Sequence, residues 1–188
     1  MPQPILLPGD NATDKFLDED QVGVSTSKIG FPNIRGCQGV VCVLDNGAMV
    51  GGHFTSGGTE QAMANKIKDV MNDQFPGAKI AKMFVAYNSQ EKYSSGGDVR
   101  QKADLLGFKG KAQFFDTNKM DHAKQDGTYV EVASKNGSHE LNYKRNTKMQ
   151  YGEGPEIGSH MNQTVRAALA ASATKMHHGA SKTTSVKV

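Results

Sequence analysis

Alternating apolar and polar positions, interrupted by turn residues, define two hairpins in this chain. Apolar runs flank Asn46-Gly47, and a second pair of runs flanks Asn136-Gly137. An Asn-Gly pair between apolar runs is a strong local signal for a two-residue hairpin turn, in which both turn residues need a positive φ. We therefore predict one hairpin within residues 36–58 and a closing hairpin at 128–144.

A two-residue turn fixes which residues face each other across each hairpin. The predicted pairs in the first hairpin are Asp45 with Ala48, Cys42 with Gly51 and Val40 with His53. The predicted pairs in the second are Val132 with Leu141 and Val130 with Tyr143. Both pairs of the second hairpin lie on one face, which supports its register.

Between the hairpins, apolar residues recur at every third or fourth position, which is the period of a helix packed on one face. The pattern predicts a helix over 59–75, with Thr59 as its N-cap and Pro76-Gly77 at its end. A glycine-rich loop at 94–98 leads to a shorter helix over 99–106, which closes at Gly107. Buried strands are predicted at 79–87 and 112–115, followed by a polar loop at 116–127.

This order of elements predicts an α+β fold, with a mixed or mostly antiparallel sheet and one long and one short helix packed on it. Residues 21–35 are predicted to lie beside the first hairpin, where Pro32 argues against a central strand. We divide the chain into a flexible leader at 1–20, a catalytic domain at 21–150, and a polar, partly disordered tail at 151–188. Residues 164–175 of the tail have the composition of a weak alanine-rich helix.

Residues 158–161, Gly158 to Met161, match a common cloning scar. If this is a junction, residues 162–188 are a fused peptide that lies outside the fold. If the match is a coincidence, they belong to the natural tail.

Composition excludes several classes of function. The net charge of +3 is mild and no block of five basic residues occurs, so nucleic-acid binding is not favoured. The chain has no apolar run of the ~18 residues that a membrane span needs. The first residues also lack the basic and apolar regions of a Sec signal. Two cysteines do not make a disulfide framework, and no cofactor motif is present.

Cys37 and His53 are the residues that point to chemistry. In the predicted register Cys37 pairs with Ser56, and its side chain lies on the face opposite to His53. Contact between them then needs a bulge before Val40, for which Gly36 and Gly39 supply the backbone freedom. In contact, His53 can take the thiol proton, form an ion pair and later protonate a leaving amine. The amides of Cys37 and Gln38 are the expected oxyanion donors.

Two structural interpretations stand beside this one. Cys37 can equally be a packing thiol, and Cys42 lies among valines in mid-strand, as a core cysteine does. A metal site at Cys37, Cys42 and His53 is disfavoured, because the spacing matches no zinc motif and a fourth ligand is not evident. The catalytic hypothesis requires Sγ within about 4 Å of the imidazole, with a hydroxyl or carbonyl on the far ring nitrogen.

The hairpin resembles the CheD chemoreceptor glutamine deamidases and related bacterial toxins. It shares with them a Gly-Cys pair, a second cysteine five residues on, a turn, and a histidine sixteen residues after the first cysteine. The toxins include cytotoxic necrotizing factor and Burkholderia lethal factor. The later order of elements also matches, so the resemblance covers roughly 21–145.

The resemblance implies that Cys37 attacks a glutamine side-chain amide of a protein, with His53 as general base and acid. The product would be glutamate and ammonia, with no cofactor. The chemoreceptor enzymes carry a threonine six residues before the cysteine, where this chain has Phe31. The third group would therefore be Ser25, Thr26 or Ser27, a backbone carbonyl, or Thr55. Gly36, Gln38 and Thr55 are the expected oxyanion and substrate-binding residues.

The leader and tail favour a toxin or effector that a specialised, non-Sec bacterial system secretes into a target cell. Its partners would be a host or competitor protein that carries the target glutamine, with a secretion chaperone or immunity protein. One alternative is a chemoreceptor-type deamidase in the cytoplasm of the producing bacterium. Others are a Cys-His amidase or peptidase, whose histidine usually lies much further along the chain, and a non-enzymatic α+β binding module.

Overall fold

A computed structural model describes residues 5–6, 17, 19–55, 60–89, 96–117, 128–145, 177–178 and 183–187. The strands are β1 (Ile5–Leu6), β2 (Val22–Ser25), β3 (Lys28–Ile34), β4 (Gln38–Leu44), β5 (Met49–Phe54), β6 (Ile80–Tyr87), β7 (Lys111–Asp116), β8 (Thr128–Lys135), β9 (Ser138–Arg145), β10 (His177–His178) and β11 (Thr183–Lys187). The helices are α1 (Glu60–Gln74) and α2 (Gly96–Leu106).

The strands form two sheets, and the larger sheet is mixed. Its order is β1-β2-β5-β4-β6-β7-β11, in which β1 pairs with β2 and β6 with β7 in parallel while the other neighbours are antiparallel. The smaller sheet is antiparallel with the order β10-β9-β8-β3. The described chain is therefore α+β with mixed sheets and two helices, as the order of elements predicts.

Two hydrophobic clusters show how these layers pack. The first cluster joins α1 and α2 to one face of the large sheet through residues such as Ile67, Ala103 and Val40. The second joins the opposite face to the small sheet through residues such as Val41 and Val132. The large sheet is thus buried on both faces, which explains why β4 is apolar at nearly every position.

The register of the first hairpin differs from the predicted one by one residue. Gly39 pairs with His53 and Cys42 with Val50, so the predicted pairs Val40–His53 and Cys42–Gly51 are wrong. The loop has three residues, because the Leu44 amide donates to the Ala48 carbonyl and the Gly47 amide to the Leu44 carbonyl. Only Gly47 has a positive φ, of 85°, as in a three-residue hairpin loop that ends in a left-handed glycine.

The second hairpin has the predicted register. Val130 pairs with Tyr143 and Val132 with Leu141. Asn136 and Gly137 have φ values of 50° and 75°, which is the two-residue turn that an Asn-Gly pair favours.

Both helices end where glycine allows the chain to turn. Gly77, just after α1, has a φ of 82°. At the end of α2 the Phe108 amide donates to the Ala103 carbonyl and the Gly107 amide to the Asp104 carbonyl, which is the Schellman pattern. Helix α2 begins at Gly96 rather than at the predicted Val99, so part of the predicted glycine-rich loop is helical.

Residues 21–35 form two strands rather than one segment beside the hairpin. Strand β2 pairs with β5 in the large sheet, whereas β3 pairs with β8 in the small one. The β3 ladder is irregular between Phe31 and Ile34, which spans Pro32, on the edge strand where proline is tolerated. Other predictions lie outside the described residues: the N-cap Thr59, the loop at 118–127, the junction at 158–161 and the helix at 164–175. Within the tail, β10 and β11 add to the two sheets.

Candidate functional site

The start of β4 and the end of β5 bring Cys37 and His53 into contact. The Cys37 sulfur lies 2.9 Å from His53 Nε2. Cys37 is 3% and His53 2% exposed, so the contact is buried. The distance between sulfur and imidazole is within the limit of about 4 Å that the catalytic hypothesis requires.

The observed register explains the contact without a bulge. Gly39 faces His53, and Cys37 lies two positions before Gly39, immediately ahead of β4, so its side chain is on the same face as that of His53. The bulge that the sequence prediction required is therefore not needed, and Gly39 pairs within the regular ladder. The one-residue change in the hairpin loop is what moves Cys37 to the side of His53.

A backbone carbonyl accepts a hydrogen bond from the ring nitrogen of His53 that points away from Cys37. His53 Nδ1 lies 2.8 Å from the carbonyl oxygen of Leu17. A carbonyl only accepts, so Nδ1 carries the ring proton and donates it. Nε2 then has a free lone pair toward the Cys37 thiol, which is the arrangement of a general base next to its nucleophile.

Leu17 belongs to a segment that we call the strap, made of Leu17 and residues 19–21. The Leu17 amide donates to Gly30 at 2.9 Å, which ties the strap to β3. On the other side, the Asp20 amide donates to the His53 carbonyl at 2.7 Å and the His53 amide donates to the Gln21 carbonyl at 3.0 Å. The strap therefore lies along the end of β5, over the pair. Its residues fall mostly within the predicted leader at 1–20, and the division into domains stays a prediction.

The groups around the Cys37 sulfur have opposite effects on the pKa of the thiol. The backbone amides of Arg35 and Cys37 hydrogen-bond it and lower its pKa, whereas the Glu19 carboxyl both hydrogen-bonds the thiol and raises its pKa by its charge. Burial is the largest effect, and the pKa of Cys37 is raised from 9.0 to about 12.

Burial also dominates at the histidine. It lowers the pKa of His53 from 6.5 to about 4, although the Leu17 carbonyl and the Asp20 charge raise it. Burial therefore disfavours the charged form of both partners, the thiolate of Cys37 and the imidazolium of His53.

Phe31 packs against the imidazole of His53. Its ring lies edge-on to His53, with centroids 5.5 Å apart and planes at 73°. Gly39 makes room for it, because a Cβ at Gly39 would lie 2.6 Å from Phe31 Cγ. The aromatic ring offers no hydroxyl, and the Leu17 carbonyl holds Nδ1 instead.

The other predicted hydroxyl residues lie elsewhere. Ser25 pairs with Met49, four residues from His53 along β5 and thus roughly 13 Å away. Its hydroxyl accepts from the amides of Ser27 and Lys28, and Thr26 is exposed in the same turn. Thr55 Oγ1 donates to the Asp20 carboxylate at 2.8 Å, which anchors the strap. The structure does not bring Ser25, Thr26 or Thr55 to the ring nitrogens of His53.

Gly36 and Gln38, the predicted oxyanion and substrate-binding residues, flank Cys37 in the chain. Gly36 is in the bend before β4, and a Cβ there would meet nothing within 4 Å. Gln38 begins β4, pairs with Phe54 and is buried at 6% exposure. The amides that touch the sulfur are those of Arg35 and Cys37, so Arg35 joins Cys37 as a donor that the sequence did not indicate.

Cys42 lies on the opposite face of β4. It is 0% exposed, belongs to the cluster under the helices, and burial raises its pKa to about 12. The interpretation as a core cysteine fits this position. Among the described residues, no three His, Cys, Asp or Glu side chains are grouped as metal ligands would be.

The site lies at one end of the large sheet, where several strands stop. Extending the registers by one or two residues places Thr55, Cys37, Asn88 and Thr117 in one row across β5, β4, β6 and β7. Thr117 is 5% exposed, and its hydroxyl has no hydrogen-bond partner among the described residues. Asn88 and Thr117, the residues that follow β6 and β7, leave the large sheet at this same end.

The sequence indicated Cys37 and His53 but missed Leu17, Glu19 and Arg35. Leu17 and Glu19 lie in a segment whose Pro-, Asp- and Asn-rich composition is typical of a loose leader, and no local pattern connects this segment with β4 or β5. Comparisons with protein-family models, curated proteins and solved structures found no match to this chain. Among the helices that the structure describes, none is long and apolar enough to cross a membrane.

Proposed function

We propose that this protein is a cysteine-dependent protein-glutamine deamidase of the CheD type. The observation that carries the proposal is the chain of contacts from Cys37 Sγ to His53 Nε2 at 2.9 Å and from His53 Nδ1 to the Leu17 carbonyl at 2.8 Å. It combines a nucleophile, a base and an orienting acceptor in the order that acyl transfer needs.

The reaction would proceed in two halves. As Sγ attacks the carboxamide carbon, the thiol proton moves to Nε2 and the amide oxygen gains the negative charge. The imidazolium then protonates the departing nitrogen, which leaves as ammonia and gives a thioester on Cys37. Water, deprotonated by Nε2, attacks the thioester, releases glutamate and returns the proton to sulfur.

Several features around the pair support this chemistry. The Leu17 carbonyl keeps Nε2 as the basic nitrogen and stabilises the imidazolium that forms. The amides of Arg35 and Cys37 already converge on the sulfur, so charge that develops beside it meets donors that are fixed in place. The hydroxyl of Thr117, in the row of Cys37, offers a polar partner to an incoming chain.

The resemblance to CheD-like deamidases and bacterial toxins suggests where the enzyme acts. We favour a bacterial effector, secreted by a non-Sec system, whose substrate is a host or competitor protein. A chemoreceptor-type enzyme in the producing cell is the alternative. The burial of both side chains favours a further candidate, a binding module in which Cys37 and His53 only pack.

The first experiment compares wild type with Cys37→Ser and Cys42→Ser on protein extracts. Peptides are sequenced by mass spectrometry for glutamine-to-glutamate conversion, and released ammonia is measured in parallel. Wild type and Cys42→Ser should convert the same glutamines, because Cys42 lies on the other face of β4. Cys37→Ser should convert none. Conversion that persists without Cys37 would exclude the mechanism, and a protein inactive on every extract would favour the binding module.

A further inference from the structure

The strap joins β5 through a bulge that lies opposite His53. Strand β2 pairs with β5 in a regular antiparallel register in which Val22 faces Gly52, so Gln21 alone would face His53 if the ladder continued. Instead, the Asp20 amide donates to the His53 carbonyl at 2.7 Å, and the His53 amide donates to the Gln21 carbonyl at 3.0 Å. Two consecutive strap residues therefore share one partner on β5, which is the pattern of a β-bulge.

Asp20 has the backbone conformation that the first position of such a bulge requires. Its φ is 61°. In this type of bulge the first residue is normally glycine, because it lies in the left-handed region that most L-residues avoid and that aspartate tolerates better than most. The side chain of Asp20 is exposed, so its burial does not explain the conformation. Left-handed non-glycine residues persist only where surrounding contacts fix them, and they cluster at functional sites.

Contacts from two elements fix Asp20 in this conformation. On β5, its amide is bound by the His53 carbonyl, and the Thr55 hydroxyl donates to its carboxylate at 2.8 Å. From α1, Lys66 Nζ donates to its carbonyl oxygen at 3.4 Å. The Asp20 carbonyl is therefore turned out of the β-ladder and toward the helix, as the left-handed conformation demands.

The bulge sets the course of the strap across the imidazole. One extra residue bends the strand and shifts the alternation of the residues before it, so the strap leaves β5 and runs toward β3. Leu17, three residues before Asp20, donates its amide to the Gly30 carbonyl at 2.9 Å, and its own carbonyl lies 2.8 Å from His53 Nδ1. The bulge thereby brings the Leu17 carbonyl to the ring nitrogen that points away from Cys37.

We infer that Asp20 is a positioning residue of this site, whose left-handed backbone holds the Leu17 carbonyl on His53 and so fixes the tautomer that presents an unprotonated Nε2 to Cys37. The inference rests on the proposed function for its catalytic meaning, because only an unprotonated Nε2 can accept the thiol proton. Its test examines the imidazole in the free protein and needs no substrate. Failure to detect deamidation and failure of this inference are therefore distinguishable.

The test compares Asp20→Gly and Asp20→Asn with Asp20→Val in the full-length protein. All three variants lose the charge of the carboxylate, but glycine and asparagine tolerate the left-handed region and β-branched valine does not. Nitrogen NMR of the His53 ring, recorded well above its pKa of about 4, shows which nitrogen carries the proton. Wild type, Asp20→Gly and Asp20→Asn should show two widely separated resonances with Nδ1 protonated. In Asp20→Val the two resonances should move together, because both tautomers become populated once the Leu17 carbonyl is displaced.

Three results would overturn the inference. The first is a wild-type imidazole that carries its proton on Nε2. The second is an Asp20→Val spectrum that matches wild type, which would show that the left-handed backbone does not orient the ring. The third is an equal loss of separation in Asp20→Gly and Asp20→Val, which would show that the carboxylate bond to Thr55 holds the strap and the backbone does not. Asp20→Ala, which also avoids the left-handed region, replaces Asp20→Val with the same expected result if the valine variant does not fold.

Discussion

His53 is the residue whose burial has the clearest consequence for stability. Folding lowers the pKa of His53 from 6.5 to about 4. Between these pH values the imidazole is protonated in the unfolded chain and neutral in the folded chain. The contribution of His53 to the free energy of unfolding should therefore be fully present above pH 6.5. It should decrease by about 3 kcal/mol as the pH drops toward 4 and change no further below that pH.

His53→Gln supplies the comparison. The free energy of unfolding of both proteins is measured by denaturant titration across this pH range. Glutamine does not titrate, so the loss should be absent from the variant, while Glu19 and the other carboxyls act alike in both. Parallel curves for the two proteins would show that His53 is accessible to protons in the folded state.

At the scale of the element, the two hairpins show what local sequence can predict. Both carry Asn-Gly between apolar runs, and only the second adopts the two-residue turn. In the first, the Asp45 amide donates to the Lys79 carbonyl, and the Asp45 carboxylate accepts from the Lys79 amide. These bonds hold Asp45 within a three-residue loop. The partner lies 34 residues away, so a local pattern does not reveal the one-residue shift that decides where Cys37 points.

The close approach of β3 to β4 makes a prediction at the same scale. Gly39→Ala places a Cβ 2.6 Å from Phe31 Cγ, and Phe31 is 1% exposed and rests against His53. Because the ring has no free space, we expect a loss of about 1–3 kcal/mol in the free energy of unfolding and a displaced imidazole. Chemical denaturation measures the first effect, and the NMR shifts of the His53 ring report the second.

Gly36→Ala is the matched control, in the bend three residues earlier. Its Cβ meets nothing within 4 Å, so stability should stay within about 0.5 kcal/mol of wild type. Equal losses in the two variants would mean that glycine is needed for backbone freedom around Cys37, as the bulge hypothesis supposed, and that the Phe31 contact is not the reason.

For the whole molecule, the sequence predicts the class of fold because each helix and most strands have a local period. It does not predict the small sheet's contact with the large one, or the strap, because those depend on pairings between distant residues. Leu17 and His53 are 36 residues apart, and no local pattern joins them. The two cysteines are both buried, but their surroundings differ. Cys42 is within the sheet, where it pairs with Val50 on one side and Met83 on the other, whereas Cys37 contacts His53 beneath the strap.

We therefore predict that a thiol reagent reaches the two buried cysteines through different motions of the protein. Cys42 is reached only when the central strands separate, so its labelling rate should rise with denaturant as steeply as global unfolding does. Cys37 is reached when the strap lifts, which exposes little surface, so its rate should be higher in water and nearly independent of low denaturant concentrations. The single-thiol proteins Cys42→Ser and Cys37→Ser report the two rates separately, with a thiol reagent under native conditions. If both rates followed denaturant with the same slope, the strap would be part of the globally cooperative core, and no local opening would admit a substrate to Cys37.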